Sequence, residues 1–411
     1  MNPLHGSLAQ YAERLHRAAG DAHHVASPLG AWLLLALAGP AATGDTRGRL
    51  EEALGTDVDS AAAAARALLA APHPLVAAAT ALWERTPSAE LAGWRATLPE
   101  QTQTGPLPDQ AALDAWARKH TDGLIDRFPV TVAPDLLLIL ASALATRVSW
   151  AAPFEVAPTG QLGPDSAWAG RVKRVLRTPG HGHRCWIATT ARVGDVAVHA
   201  APARPTATAD GKAGLLVVSV AAAPEVPAAE VLAAAQEIAA DAAIAPDGTA
   251  PGRRSLYDLP LGDAPLWTLR EETVHSFGRE ERVGAVLPCW SAESRHNLTP
   301  AGLGFDAAAK ALGTLLGLAH PRFEAIQSAV ARYGRYGFEA AAVTAMVMPV
   351  GLPPERIVRV AELRFGHPYA VVAVATDSAG GPWHGLPAYS AWVAQPQELS
   401  DDELADPPQR W

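Results

Sequence analysis

Cysteine, lysine and formal positive charge are all scarce in this sequence. Among 411 residues there are two cysteines, Cys185 and Cys289, and neither belongs to a CxxC pair. That spacing excludes a zinc-ribbon or thioredoxin-type motif. It leaves two free, partly buried thiols as the expectation, with one disulfide as the alternative. Lysine occurs only as Lys119, Lys173, Lys212 and Lys310, and the formal net charge is −9. Such a surface offers no basic face to nucleic acid or to an anionic membrane, so neither partner is expected. Charged residues reach only 18% while apolar ones make up 49%, which excludes a disordered chain and supplies a sizeable core. No apolar run is long enough to span a bilayer, the most hydrophobic stretch being Leu29 to Leu37. The chain opens Met-Asn-Pro-Leu-His-Gly and reaches Glu13 before any apolar run, so no secretory signal is read and a cytoplasmic protein is expected.

Catalytic signatures are missing as well. There is no GxSxG elbow, Walker loop, HExxH or paired CxxC site. Gly302-Leu-Gly304-Phe-Asp-Ala307 matches a dinucleotide fingerprint by letter, but it follows a turn, Asn297-Leu-Thr-Pro300, where a strand is required. His181-Gly-His183-Arg-Cys185 has the letters of a metal site and the composition of a solvated loop, and His23-His24 reads as surface. Neither an enzyme nor a cofactor is expected.

What is present reads as an α+β chain. Apolar residues at helical spacing mark residues 4–20, 46–54, 61–71, 111–128, 228–243 and 305–312. Ser27-Pro28 is an N-cap followed by Pro at the first helical position, opening an apolar and hence buried helix over 29–37. Strand patterns occupy 75–83, 136–150, 172–176, 185–190, 196–200, 215–220, 283–288, 323–332, 369–376 and 389–393. A single domain over 1–411 is expected, helix-rich to 130 and strand-rich from 131. The stretch Tyr336–Tyr369 fits neither pattern. Ala340, Ala341 and Ala342 favour helix, β-branched Val343, Thr344 and Val347 favour strand, and Pro349, Pro353 and Pro354 end any helix.

Several segments, in order along the chain, resemble the serpin family. Ser27-Pro28-Leu29-Gly30, then Gly44-Asp45-Thr46-Arg47 and Leu50 to Gly55, are similar to its N-terminal pattern. Leu140 to Trp150, with Pro153-Phe154 and Thr159, resembles LVNAIYFKGxW…PF…T. Val283 to Pro288 through Leu298 and Leu303-Gly304 resembles a strand followed by DLxxxLxxLG. Gly337-Phe-Glu-Ala-Ala-Ala342 resembles the reactive-loop hinge GTEAAA, and Phe365-Gly-His-Pro-Tyr369 the C-terminal signature.

The resemblance implies three β-sheets, eight or nine helices and an exposed reactive-centre loop at about 338–356. It also implies a suicide-substrate inhibitor of a serine protease. The loop is cleaved as substrate and inserts as a new strand, and the acyl-enzyme is trapped. Counting about 14 residues from the hinge glycine puts the scissile bond at Gly351–Leu352, and matching Pro353-Pro354-Glu355 puts it at Val350–Gly351. Met348, Val350 and Leu352 suit elastase-, subtilisin- or chymotrypsin-like pockets. A monomer is implied, and an extracellular location is the alternative by family analogy.

The departures from the pattern are specific. Arg335 stands where the hinge usually begins with Glu, and Phe338 where Thr or Ser is usual; Glu339 and the alanines are kept. In the polar network beneath the sheet Ser27 is kept, Gly30 replaces a second Ser, Ser142 replaces Asn, and Gln327 stands where His is frequent. A rewired network with Ser142 and Gln327 bonded to each other is expected. Trp150 is retained where a loop first inserts. The alternative to an inhibitor is a non-inhibitory binding or structural protein of this fold whose loop does not insert, and Phe338 is the residue that favours it.

Overall fold

The computed structural model describes residues 4–245, 251–275, 280–337 and 355–405. Among them the helices are α1 (Leu4–Ala19), α2 (Pro28–Ala38), α3 (Gly44–Leu54), α4 (Val58–Ala70), α5 (Ala92–Arg95), α6 (Gln110–His120), α7 (Ala228–Ile244), α8 (Phe305–Leu315) and α9 (Asp401–Leu404). The strands run β1 (His24–Ala26), β2 (Ala77–Glu84), β3 (Gln103–Pro106), β4 (Leu138–Ala145), β5 (Glu155–Pro158), β6 (Arg174–Arg177), β7 (Arg184–Thr190), β8 (Gly194–Pro202) and β9 (Thr206–Ala207). They continue with β10 (Lys212–Ala221), β11 (Gly262–Asp263), β12 (Trp267–His275), β13 (Glu281–Leu287), β14 (Trp290–Asn297), β15 (Ile326–Tyr333), β16 (Glu355–Arg364), β17 (Tyr369–Asp377) and β18 (Pro387–Val393). Residues 355 and 356, expected at the end of the loop, are therefore the first residues of a strand.

A seven-stranded sheet in the order β1-β18-β17-β10-β8-β7, with β9 on β10, forms the centre of the molecule. Its strands β10 and β17 are Val- and Ala-rich and buried along nearly their whole length, because α7 covers one face and the α2 side of the core the other. Helix α2 is apolar all round and sits inside the core, as its sequence predicts. Its start is fixed by Ser27, whose Oγ accepts from Gly30 N at 3.2 Å.

A six-stranded sheet runs β11-β12-β16-β13-β6-β5, with β16 antiparallel to β12 and parallel to β13. Two further sheets are small: β3-β2-β4, and the pair β14-β15.

Several sequence expectations are corrected. The helix expected over 111–128 stops at His120, because Asp122 and Gly123 take left-handed conformations at φ 50° and 75°. The strand expected over 136–150 is continuous only from Leu138 to Ala145, with isolated bridges at Ser149 and Trp150. Strands β5, β12 and β14 were not legible, since residues such as Arg270, Glu271, Glu293 and Arg295 interrupt the apolar signal on their exposed faces. His24 is not on the surface. It is 4% exposed, and its Nε2 shares a hydrogen bond of 2.8 Å with His16 Nδ1.

Candidate functional site

The functional candidate is a slot between two strands that do not pair. β4 is bonded to β2 on one side and β15 to β14 on one side. Among the described residues no backbone hydrogen bond joins β4 to β15. Each strand thus presents a row of unused amide and carbonyl groups to the other, which is a template for a further strand. A cavity of about 1050 Å³ lies between them, with Gly30, Ala31 and Leu34 of α2 on one side and Trp116, Ile125 and Phe128 on the other.

The two halves meet at the end of the slot toward which both strands run. There Ser149 and Gly337 form an antiparallel bridge. Trp150 N donates to Tyr336 O at 3.0 Å and Phe154 N to Arg335 O at 3.0 Å. Trp150 is fully buried, its Nε1 donating to Gly334 O at 2.9 Å and its ring 5.1 Å from that of Tyr333. The chain has already reversed here, with Gly334 N donating to Gly337 O at 3.3 Å. Gly337 has φ 143°, and a Cβ on it would lie 2.2 Å from Val148 O, so only glycine fits.

Along the slot the halves are tied through the first turn of α2. Gln327 on β15 accepts from Ser27 N at 2.9 Å and donates to Ser27 O at 2.8 Å. Ser142 on β4 donates to Gly30 O at 2.8 Å, and Ser27 Oγ donates to Ala388 O at 2.8 Å. Contrary to the sequence expectation, Ser142 and Gln327 do not bond each other. The backbone of α2 stands between them and takes both. Gly30 has no room for a larger side chain without displacement, since its Cβ would meet Ser27 Oγ at 3.2 Å and Leu144 Cδ1 at 3.4 Å.

Beneath Trp150 lies a pair the sequence did not bring together. His183 Nδ1 and His199 Nε2 share a hydrogen bond of 3.0 Å, and His183 Nε2 lies 2.8 Å from Ala152 O. His199 is fully buried and 3.5 Å from Tyr333 Oη. Burial lowers His183 to about 4, against the opposing carbonyl of Ala152, and holds His199 well below the ordinary imidazole value. The His181-Gly-His183 alternation is thus the turn that leads into β7, with one imidazole directed inward. Among the described residues no group of three His, Cys, Asp or Glu is arranged to hold a metal ion. Cys185 and Cys289 are both free thiols, and burial pushes Cys185 up to about 12. None of the described helices is long and apolar enough to cross a membrane.

No protein-family model matches this sequence, and none of the curated proteins does. Solved structures do match. The thermophilic serpin tengpin in its native state aligns at 14% identity and a TM-score of 0.61, over 95% of this chain and 93% of that one. Human thyroxine-binding globulin complexed with thyroxine aligns at 14% identity and TM-score 0.61, over 97% and 99%. Serpin48 of the insect Tenebrio molitor aligns at 16% and 0.55, over 95% and 97%. This is the serpin fold.

On the serpin fold the site residues read from the sequence fall into three groups. Ser27, Ser142 and Gln327 are joined through the α2 turn. Trp150, Arg335 and Gly337 are joined at the end of the slot. Phe338, Glu339, Ala340, Ala341, Ala342, Val350, Gly351 and Leu352 lie outside the described residues. The partners missed from the sequence are His183 and His199, neighbours across the β7–β8 pair, and Tyr333 and Glu403, which meet residues distant along the chain.

Proposed function

We propose that this protein inhibits a serine protease as a suicide substrate, with residues 338–354 as the bait and the slot between β4 and β15 as the trap. The observation that carries the reading is that slot, with two parallel, unpaired strand edges and a chain reversal at Gly334–Gly337 at its end. The protease serine attacks the scissile carbonyl at Val350–Gly351 or Gly351–Leu352. The peptide C–N bond breaks, an ester to the serine forms, and the new amine leaves on the 352 side or at Gly351. The freed segment then pairs with both edges, antiparallel to each, before water hydrolyses the ester.

The register supports this. In the proposed inserted state, a register continued from Ser149 opposite Gly337 would set Ala342 opposite Leu144, Thr344 opposite Ser142 and Met348 opposite Leu138. Directly paired residues share a face, so Ala342 and Thr344 would face α2, where small side chains are needed. Apolar Met348, Val350 and Leu352 fit elastase-, subtilisin- or chymotrypsin-like targets. The same register would set Phe338 opposite buried Val148 on insertion, and this bulk favours the second reading, a non-inhibitory protein of the serpin fold.

The test is incubation with subtilisin, elastase and chymotrypsin. An inhibitor gives an SDS-stable adduct with the protease and a large rise in melting temperature after cleavage within 338–354. Cleavage that yields neither result selects the non-inhibitory reading.

A further inference from the structure

Arg335 departs from the family pattern, and its surroundings account for it. After β18 the chain crosses the molecule, Gln397 N donating to Cys289 O at 2.8 Å, and buries Leu399. Ser400 then starts α9 with a capping box in which Ser400 and Glu403 satisfy each other's backbone. The carbonyls at the end of this one-turn helix are taken by the hinge. Arg335 Nη1 donates to Glu403 O at 2.9 Å and to Ala405 O at 3.2 Å, and Tyr336 Oη donates to Ala405 O at 2.7 Å. In return Glu403 Oε1 accepts from Arg335 N at 3.1 Å. Glu403 also closes over the turn itself, since a Cβ on Gly334 would lie 2.0 Å from its Oε1.

A helix of four residues does not hold itself in water. Its order here comes from docking, and what it docks on is the reversal at Gly334–Gly337. A guanidinium reaching two carbonyls at a helix C-terminus is a favourable arrangement that a carboxylate at position 335 cannot make. Arg335 meets the tail's carbonyls through Nη1, and its Nε donates to Phe154 O at 3.1 Å, so one side chain joins the tail to the segment after Trp150.

We propose that residues 400–405 are a latch that holds the reversal at Gly334–Gly337 against the end of the slot and so pre-forms the turn from which an inserting strand descends. That consequence for insertion rests on the function proposed above; the latch itself does not.

The test is hydrogen exchange on three uncleaved chains: the full protein, a chain ending at Leu399, and Arg335→Met. The reporters are the amides of Trp150 and Phe154, which donate to Tyr336 O and Arg335 O and do not touch the tail. The amides of Val217 and Val372 in β10 and β17 report that the fold is intact. The latch predicts exchange at Trp150 faster by about tenfold or more in both altered chains, and at Phe154 in the truncated chain, where Arg335 keeps its own bond from Nε to Phe154 O. Unchanged exchange there, with β10 and β17 protected, overturns the proposal. Glu403→Ala serves where the truncated chain does not fold. The melting temperature after loop cleavage, measured in parallel on the full protein, decides the insertion reading separately, so each can fail without the other.

Discussion

Gln327 holds both backbone groups of Ser27, accepting from its N at 2.9 Å and donating to its O at 2.8 Å. One side chain on β15 thereby fixes the residue that caps α2, and through Ser142 and Gly30 O the same turn is tied to β4. Gln327→Leu leaves Ser27 N without its acceptor in a half-buried site. A loss of about 1–3 kcal/mol is expected in urea unfolding, with an unchanged slope. A variant as stable as the parent means that the turn does not depend on this clamp.

Gly337→Ala places a Cβ against Val148 O in a region of φ that side chains avoid. The bridge to Ser149 has to open or the backbone has to shift, at about 1–3 kcal/mol. Thermal unfolding measures the loss, and faster exchange at Trp150 N locates it at the end of the slot.

Stability falls on mild acidification. His183, His199, His16, His24 and His296 are all lowered, chiefly by burial, so the unfolded chain binds protons that the folded one refuses. The stability they lend is complete above the ordinary value of 6.5 and is lost as the pH falls from there toward about 4, where His183 titrates. At pH 5 His183 alone accounts for about 2 kcal/mol. Melting curves at pH 7.5, 6 and 5 should show the fall, and His183→Gln should flatten it. A melting temperature that is level over this range contradicts the assignment.

β16 is held on both sides, by β12 across Trp267–His275 and by β13 across Glu281–Val286. Cleavage within 338–354 is therefore expected to release only the hinge side. Amides of Val358, Ala361 and Leu363 should keep their exchange protection after cleavage, and its loss would mean that β16 leaves its sheet.

Phe338→Thr replaces an aromatic with the small residue usual at this place in the hinge pattern. For an inhibitor, fewer molecules should be consumed as plain substrate for each protease trapped, read from the stoichiometry of inhibition. An unchanged stoichiometry assigns the loop's behaviour to another residue.

Much of this fold was legible locally. Ser27-Pro28 announced the start of α2, and the all-round apolar pattern of Leu29–Leu37 announced its burial, because capping and desolvation depend on neighbours within a few residues. The motifs around Trp150, Gly337 and Phe365 carry the resemblance to the serpin fold in the sequence alone. The strands that escaped notice, β12 and β14, have one solvated face whose charges dilute the alternation.

The composition of the core, the cap of α2 and the need for glycine at the hinge follow from side-chain chemistry read a few residues at a time. That β4 and β15 stand apart, that Gln327 reaches Ser27 and not Ser142, and that Arg335 meets Glu403 and Ala405 follow from packing between distant segments. A strand's own residues say that it has two edges. Whether an edge is used depends on which distant segment lies beside it, and that is settled only when the whole chain has packed.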